Sequence, residues 1–151
     1  MGTLDQQRLI MHYYTGNIQR EPNTIFVFGS NTQGRHGAGA AKVAHDCFGA
    51  VYGQARGPQG QSYAIVTKNL RNGYRSIAPE DIVMQIRILY DYARNHPDLN
   101  FKIAYRNVGN TRSLNGYTGQ EMITMFLSAG ELPDNIWISE EWWNSGMFQT
   151  N

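Results

Sequence analysis

Short, dense apolar runs alternate along the chain with amphipathic stretches. RLIMHYY (8–14) is rich in β-branched and aromatic residues and reads as a strand, closed by YTGN (14–17). TIFVF (24–28) is a continuous apolar run cut off by glycine, the pattern of a strand buried on both faces of a parallel sheet. SYAIVT (62–67), FKIAYRNV (101–108) and NIWIS (135–139) read as further strands. HGAGAAKVAHDCF (36–48) reads as a helix whose first turn is glycine and alanine. APEDIVMQIRILYDYARNH (78–96) is the clearest helix. Pro79 suits its first turn, and Glu80 and Asp81 suit the positive end of its dipole. Ile82, Ile86, Leu89, Tyr90 and Ala93 form one apolar stripe, and Pro97 stops it. Thr118 and Glu121 have capping-box spacing and start a helix through Leu127, ended near Gly130.

Alternating apolar strands and helices predict an α/β fold: a three-layer α/β/α sandwich around a mixed, mostly parallel central sheet. At 151 residues the chain is expected to form one domain over residues 1–151. Ligands in such folds sit at the carboxyl ends of the strands. Two glycine-containing loops, 29–39 and 109–117, follow strands directly. A third, 49–61, precedes one.

Charge changes the picture only locally. With 13 Lys+Arg against 12 Asp+Glu, the whole chain gives no case for nucleic acid, a membrane surface or an acidic partner. Yet residues 28–75 carry Arg35, Lys42, Arg56, Lys68, Arg71 and Arg75 against the single acid Asp46. Such a region attracts an anionic small molecule, or it is simply a solvated basic face. Cys47 is the only cysteine, so an internal disulfide and a cysteine metal cluster are excluded, and a reducing cytoplasm fits. Cys47 is expected as a small buried apolar residue of its helix. The opening MGTLDQQRL has no signal-peptide pattern, and no apolar run approaches the ~18 residues of a membrane span.

Familiar motifs mostly fail. No Gly-Lys-Ser/Thr occurs, which argues against a P-loop. Gly37-Ala38-Gly39 is followed by Ala40, Ala41 and Lys42, so a dinucleotide fingerprint lacks its third glycine. The histidines, His12, His36, His45 and His96, show no metal spacing, and neither a metal nor a cofactor is expected. Ser30 has no motif partner for a triad. What remains is positive. Gly37 and Gly39 at a helix start let backbone N–H groups approach a phosphate, whose charge the helix dipole favours. Asn31, at a strand exit, offers donor and acceptor to a sugar hydroxyl. The competing readings are tight helix–sheet packing for the glycines and a turn former for Asn31. His36, beside Arg35, is either a ligand contact or a solvated loop residue.

These residues carry a resemblance. TGNIQREPNTIFVFGSN (15–31), followed by GAGAAKVAHDCFGA (37–50), resembles a macrodomain, with VGNTRSLNGY (108–117) in place of the second phosphate loop. More narrowly, the ordered set is similar to a divergent macrodomain-like group found in phages and bacteria. The resemblance spans roughly residues 8–139. It implies binding of an ADP-ribose-like nucleotide. Asn17 would then meet the adenine amino group, with Ile18 beside it. Asn31 would face the distal ribose, with Ser30 adjoining. Gly37, Ala38 and Gly39 would cradle one phosphate. Gly109, Asn110, Thr111, Arg112, Ser113, Gly116 and Tyr117 would wrap the other, with Tyr117 near the distal ribose. Arg35 or Arg112 would add charge.

Three departures qualify that expectation. The acid that reads adenine is Asn17 here, without charge assistance. The second loop is about two residues longer than the resemblance implies, and it contains Arg112. The aspartate of hydrolytic macrodomains aligns with Ala41, and no Asp or Glu lies in residues 22–45. The expected function is therefore binding without efficient catalysis. In a phage setting, that would sequester an NAD-derived immune signal in the host cytoplasm. The alternative is an ADP-ribosyl hydrolase or phosphatase using His36 or a ligand-bound water. WISEEWWNSGMF (137–148) adds a third possibility, a homo-oligomer formed through its tryptophans. The competing reading makes Trp137 core, with Trp142 and Trp143 docking the tail.

Overall fold

The computed structural model describes residues 12–149. Its elements run β1 (His12–Tyr14), β2 (Thr24–Asn31), α1 (Gly39–Cys47), β3 (Gly57–Gln59), β4 (Ser62–Lys68), α2 (Pro79–Arg94), β5 (Asn100–Ile103), α3 (Gly119–Ser128), β6 (Ile136–Ser139) and α4 (Glu140–Asn144). The strands form one six-stranded sheet in the order β1-β6-β5-β2-β4-β3. Every neighbouring pair is parallel except β3 with β4. Of the first expected strand, residues 8–11 lie outside the described residues.

Alternation along β2 divides the core in two. Ile25 and Val27 join Ile65, Phe101, Ile103 and Ile138 in a large core that also takes the α2 stripe and Phe126 of α3. Phe26 and Phe28 point the other way, into a smaller core with Ala41, Ala44 and Phe48 from α1 and its end. Helices therefore cover both faces of a mostly parallel sheet, the α/β/α sandwich that the apolar pattern implies. α1 meets this face through the small side chains of Ala41 and Ala44.

Local chemistry sets the helix ends. Thr118 accepts from the Glu121 N–H and its own N–H donates to the Glu121 side chain, completing the capping box. Arg75 grips the same carboxylate through two N–H groups, at 3.0 and 2.7 Å. That guanidinium, helped by the Thr118 N–H, holds Glu121 down from 4.5 to about 2. A depressed carboxyl stabilises the fold above its unfolded value and loses that contribution as pH falls toward the folded one. The melting temperature should fall between pH 4.5 and about 2, and Glu121→Gln should flatten that slope while lowering stability at pH 7. An unchanged slope in thermal melts would remove Glu121 from the explanation.

Several expectations are corrected. Cys47 is exposed on α1, because Ala41 and Ala44 supply that helix's buried side. The 49–61 loop contains the short edge strand β3, which the glycines and Pro58 mask in sequence. EEWWN folds as α4, capped by the Ser139 hydroxyl. Trp142 rather than Trp137 is the fully buried tryptophan, and it stacks on Phe148 at 5.7 Å. Trp137 stacks on His12 at 4.6 Å and Trp143 on Tyr13 at 5.2 Å, so each tryptophan has a partner within the chain. Among the described residues no helix is long and apolar enough to cross a membrane.

Candidate functional site

Three neighbouring parallel strands, β5, β2 and β4, end at one place. Beyond their carboxyl ends lies a cavity of about 550 Å³. That is within the usual range of small-molecule sites, roughly 300–1,000 Å³. Its walls come from the β2 exit, the start of α1, the β4 exit, residues 104–107 and residues 113–115.

The start of α1 forms one wall. The helix begins at Gly39, not at His36 as its pattern suggests. Its N-cap is Ala38, in extended conformation, with no side-chain cap and no acid in the first turn. Gly39 adopts φ +57°, a left-handed conformation that only glycine enters freely. A side chain on Gly37 would meet nothing within 4 Å, so packing does not explain that glycine. Gly37 through Ala41 all line the cavity. The helix thus presents uncapped N–H groups and the positive end of its dipole to the cavity.

The floor depends on a missing side chain. A Cβ on Gly29 would lie 1.9 Å from the Tyr105 hydroxyl and 2.8 Å from its ring. Because Gly29 has none, Tyr105 crosses β2 and reaches Thr67 of β4, oxygen to oxygen at 3.1 Å. The Asn115 amide donates to the same phenol at 3.3 Å. Burial pushes the Tyr105 hydroxyl up to about 12. The β2–β4 register slips between Ser30 and Asn31, so that Asn31 pairs with Lys68. That irregularity lets the consecutive residues Thr67 and Lys68 both line the cavity, where a regular strand would send them to opposite faces.

Arg35, Lys68 and Arg106 give the lining its charge, and among the described residues no Asp or Glu lines it. Arg106 is partly neutralised by Glu141, at 2.8 Å, whose carboxyl it holds below the usual range. It also donates to the Gly16 carbonyl at 2.8 Å, tying the 15–18 turn to this wall. Tyr52, Leu70 and Leu114 supply an apolar rim, each substantially exposed.

Residues expected at the site divide into three groups. Ser30, Asn31, Arg35, Gly37, Ala38, Gly39 and Ser113 line the cavity. Asn31 also clasps the loop: its side chain accepts from the Arg35 N–H at 2.9 Å and donates to the Arg35 carbonyl at 2.8 Å. The turn-forming role is therefore present, whatever else Asn31 meets. Asn17 and Ile18 are outside the lining: Asn17 is exposed, and Ile18 packs on the small core that Ala40 and Ala104 of the lining also join.

The remaining expected residues stand apart from the lining. His36 is neither ligand-facing nor solvated. It is 2 % exposed, edge-on to Phe28, with Nε2 3.1 Å from the Gln54 carbonyl. Its Nδ1 is buried and has no partner among the described residues. Tyr117 is a core residue whose hydroxyl donates to the Ile77 carbonyl at 2.6 Å. Arg112 donates to the Gly116 carbonyl at 2.6 Å, closing its own loop. Gly109 and Thr111 bond their carbonyls to Gln120 and Gly119 at the α3 start, and Asn110 sits exposed between them. The longer second loop folds onto α3, and only residues 113–115 return to the cavity.

Sequence reasoning passed over Thr67, Tyr105 and Arg106. The rule that ligands meet strand exits pointed to Thr67. Tyr105 and Arg106 were hidden because FKIAYRNV reads as one strand, whereas β5 ends at Ile103. Past that point the Asn107 carbonyl accepts from the Trp142 indole at 2.7 Å instead of from a strand neighbour. A side chain on Gly119 would also sit 2.1 Å from that carbonyl oxygen.

No known family, curated protein or solved structure matches the chain.

Proposed function

We propose that the cavity binds an ADP-ribose-like nucleotide and holds it without efficient turnover. One observation carries the reading. An uncapped helix start, opened by glycine and free of acids, faces a cavity lined by three cations. Backbone N–H groups there suit a diphosphate, and Arg35 and Lys68 add attraction. The apolar rim suits the carbon surfaces of base and sugars. The Gly16-Asn17-Ile18 turn, to which the resemblance assigns adenine, is tied to the wall by the hydrogen bond from Arg106 to the Gly16 carbonyl.

Hydrolysis needs a group to accept a proton from water. Among the described residues the lining carries no carboxylate, and His36, the one histidine weighed for that task, is outside it. Retention without turnover would sequester an NAD-derived signal, the role that the resemblance implies. Native mass spectrometry should show one ADP-ribose per chain after incubation, and denaturation should release it intact. A mass that stays at the bare chain would overturn the reading, and released product would replace binding with catalysis.

A further inference from the structure

The floor of the cavity contains a hydrogen-bond donor that the protein does not use. Thr67 and Tyr105 carry two hydroxyl protons between them, and the 3.1 Å contact consumes one. Asn115 donates to Tyr105 and so takes none. Among the described residues neither hydroxyl has a further partner. One proton is therefore left over, whichever hydroxyl carries it, and both residues line the cavity. A donor at a partly desolvated floor favours a ligand that supplies an acceptor.

The position of this donor says which part of the ligand it meets. Tyr105 follows β5, but its ring crosses β2 at Gly29, so its hydroxyl lies over β4. Lys68 and Asn31, paired in register, are next to it. Ile18 lies on the smaller core with Ala104, on the β5 side. If adenine sits by Ile18 and the diphosphate by α1, the Thr67–Tyr105 pair faces the far end of the ligand.

We infer that the Thr67–Tyr105 hydroxyl pair is a specificity site. It donates one hydrogen bond to an acceptor oxygen, a sugar hydroxyl or a carbonyl, at the distal end of the nucleotide. This rests on the nucleotide reading and adds a requirement to it: a ligand ending at the diphosphate forfeits the floor contact. A phenol is already protonated across the physiological range, and burial only raises it further, so the hydroxyl proton is always present. Asn115, itself 3 % exposed, fixes the phenol by donating to it while accepting from the Tyr117 N–H at 2.8 Å.

ADP-ribose and ADP, which differ by the distal sugar, separate the possibilities in calorimetric titrations. The wild-type chain should prefer ADP-ribose. Tyr105→Phe combined with Thr67→Val should weaken ADP-ribose roughly 5- to 10-fold and leave ADP unchanged, as expected for one neutral hydrogen bond. Thr67→Ser, which keeps the hydroxyl, should keep the preference. An equal loss for both ligands, or no loss for either, would overturn the specificity site and leave the nucleotide reading standing. A wild-type chain that binds neither ligand would overturn both.

Discussion

Replacing Ala38 with aspartate should raise the melting temperature and abolish nucleotide binding. The two effects have one cause. Ala38 is the N-cap of α1, already extended at φ −152° and ψ 156°, and it leaves the first-turn N–H groups without a side-chain partner. Aspartate there accepts one of those N–H groups and adds a negative charge at the positive end of the dipole. Such caps are worth about 0.5–2 kcal/mol. The same carboxylate occupies the donors that the diphosphate needs and repels it. Two like charges about 4 Å apart at a protein surface cost on the order of 4 kcal/mol, so binding should fall by 100-fold or more. Ala38→Ser separates the contributions: it caps without charge, so stability should rise and binding should fall less. Calorimetry and thermal melts on the two variants check both signs. A stabilised Ala38→Asp that still binds ADP-ribose would place the phosphates elsewhere.

Gly29→Ala is expected to destabilise the chain and to empty the floor of the cavity of its hydroxyl pair. β2 lies between β5 and β4, so its backbone cannot move aside. The added carbon would sit 1.9 Å from the Tyr105 hydroxyl and 3.2 Å from the Thr67 hydroxyl. Tyr105 must swing off the floor, and the cavity loses both shape and donor. Overpacking of this kind typically costs about 1–3 kcal/mol. A domain of this size should then melt roughly 3–10 °C lower. ADP-ribose binding should vanish with it. In a Tyr105→Ala background the same methyl meets no ring, and most of the melting penalty should disappear. A Gly29→Ala penalty that persists in that background would show that the ring crossing is not its cause.

Much of the frame was legible because its signals are periodic. The α2 stripe from Ile82 to Ala93 is buried as the spacing requires, and the Thr118–Glu121 box closes as written. TIFVF reads as a two-faced strand because Phe26 and Phe28 serve one core and Ile25 and Val27 the other. The candidate site was half legible. Glycines at a helix start have a local signature, so Gly37, Ala38 and Gly39 could be found. Tyr105 could not, because its role depends on Gly29 in a neighbouring strand, 76 positions away by residue number. His36 misled because a histidine between arginine and glycine reads as exposed loop. Gly34 and Gly53 pack backbone to backbone, with the Gly53 N–H donating to the Gly34 carbonyl at 2.8 Å, and the loops so joined enclose the imidazole. Tyr117 misled for the opposite reason. It ends a glycine loop as the resemblance requires, but the Asn115 side chain turns it toward α2 and the Ile77 carbonyl.

Titrating ADP-ribose into the wild-type chain and into Ala38→Asp, under the same buffer and salt, tests the assignment most directly. Saturable binding near one ligand per chain in the wild type, lost in a variant that melts higher, is the expected result. Heat of binding absent from both, or equal in both, would contradict a phosphate site at the start of α1.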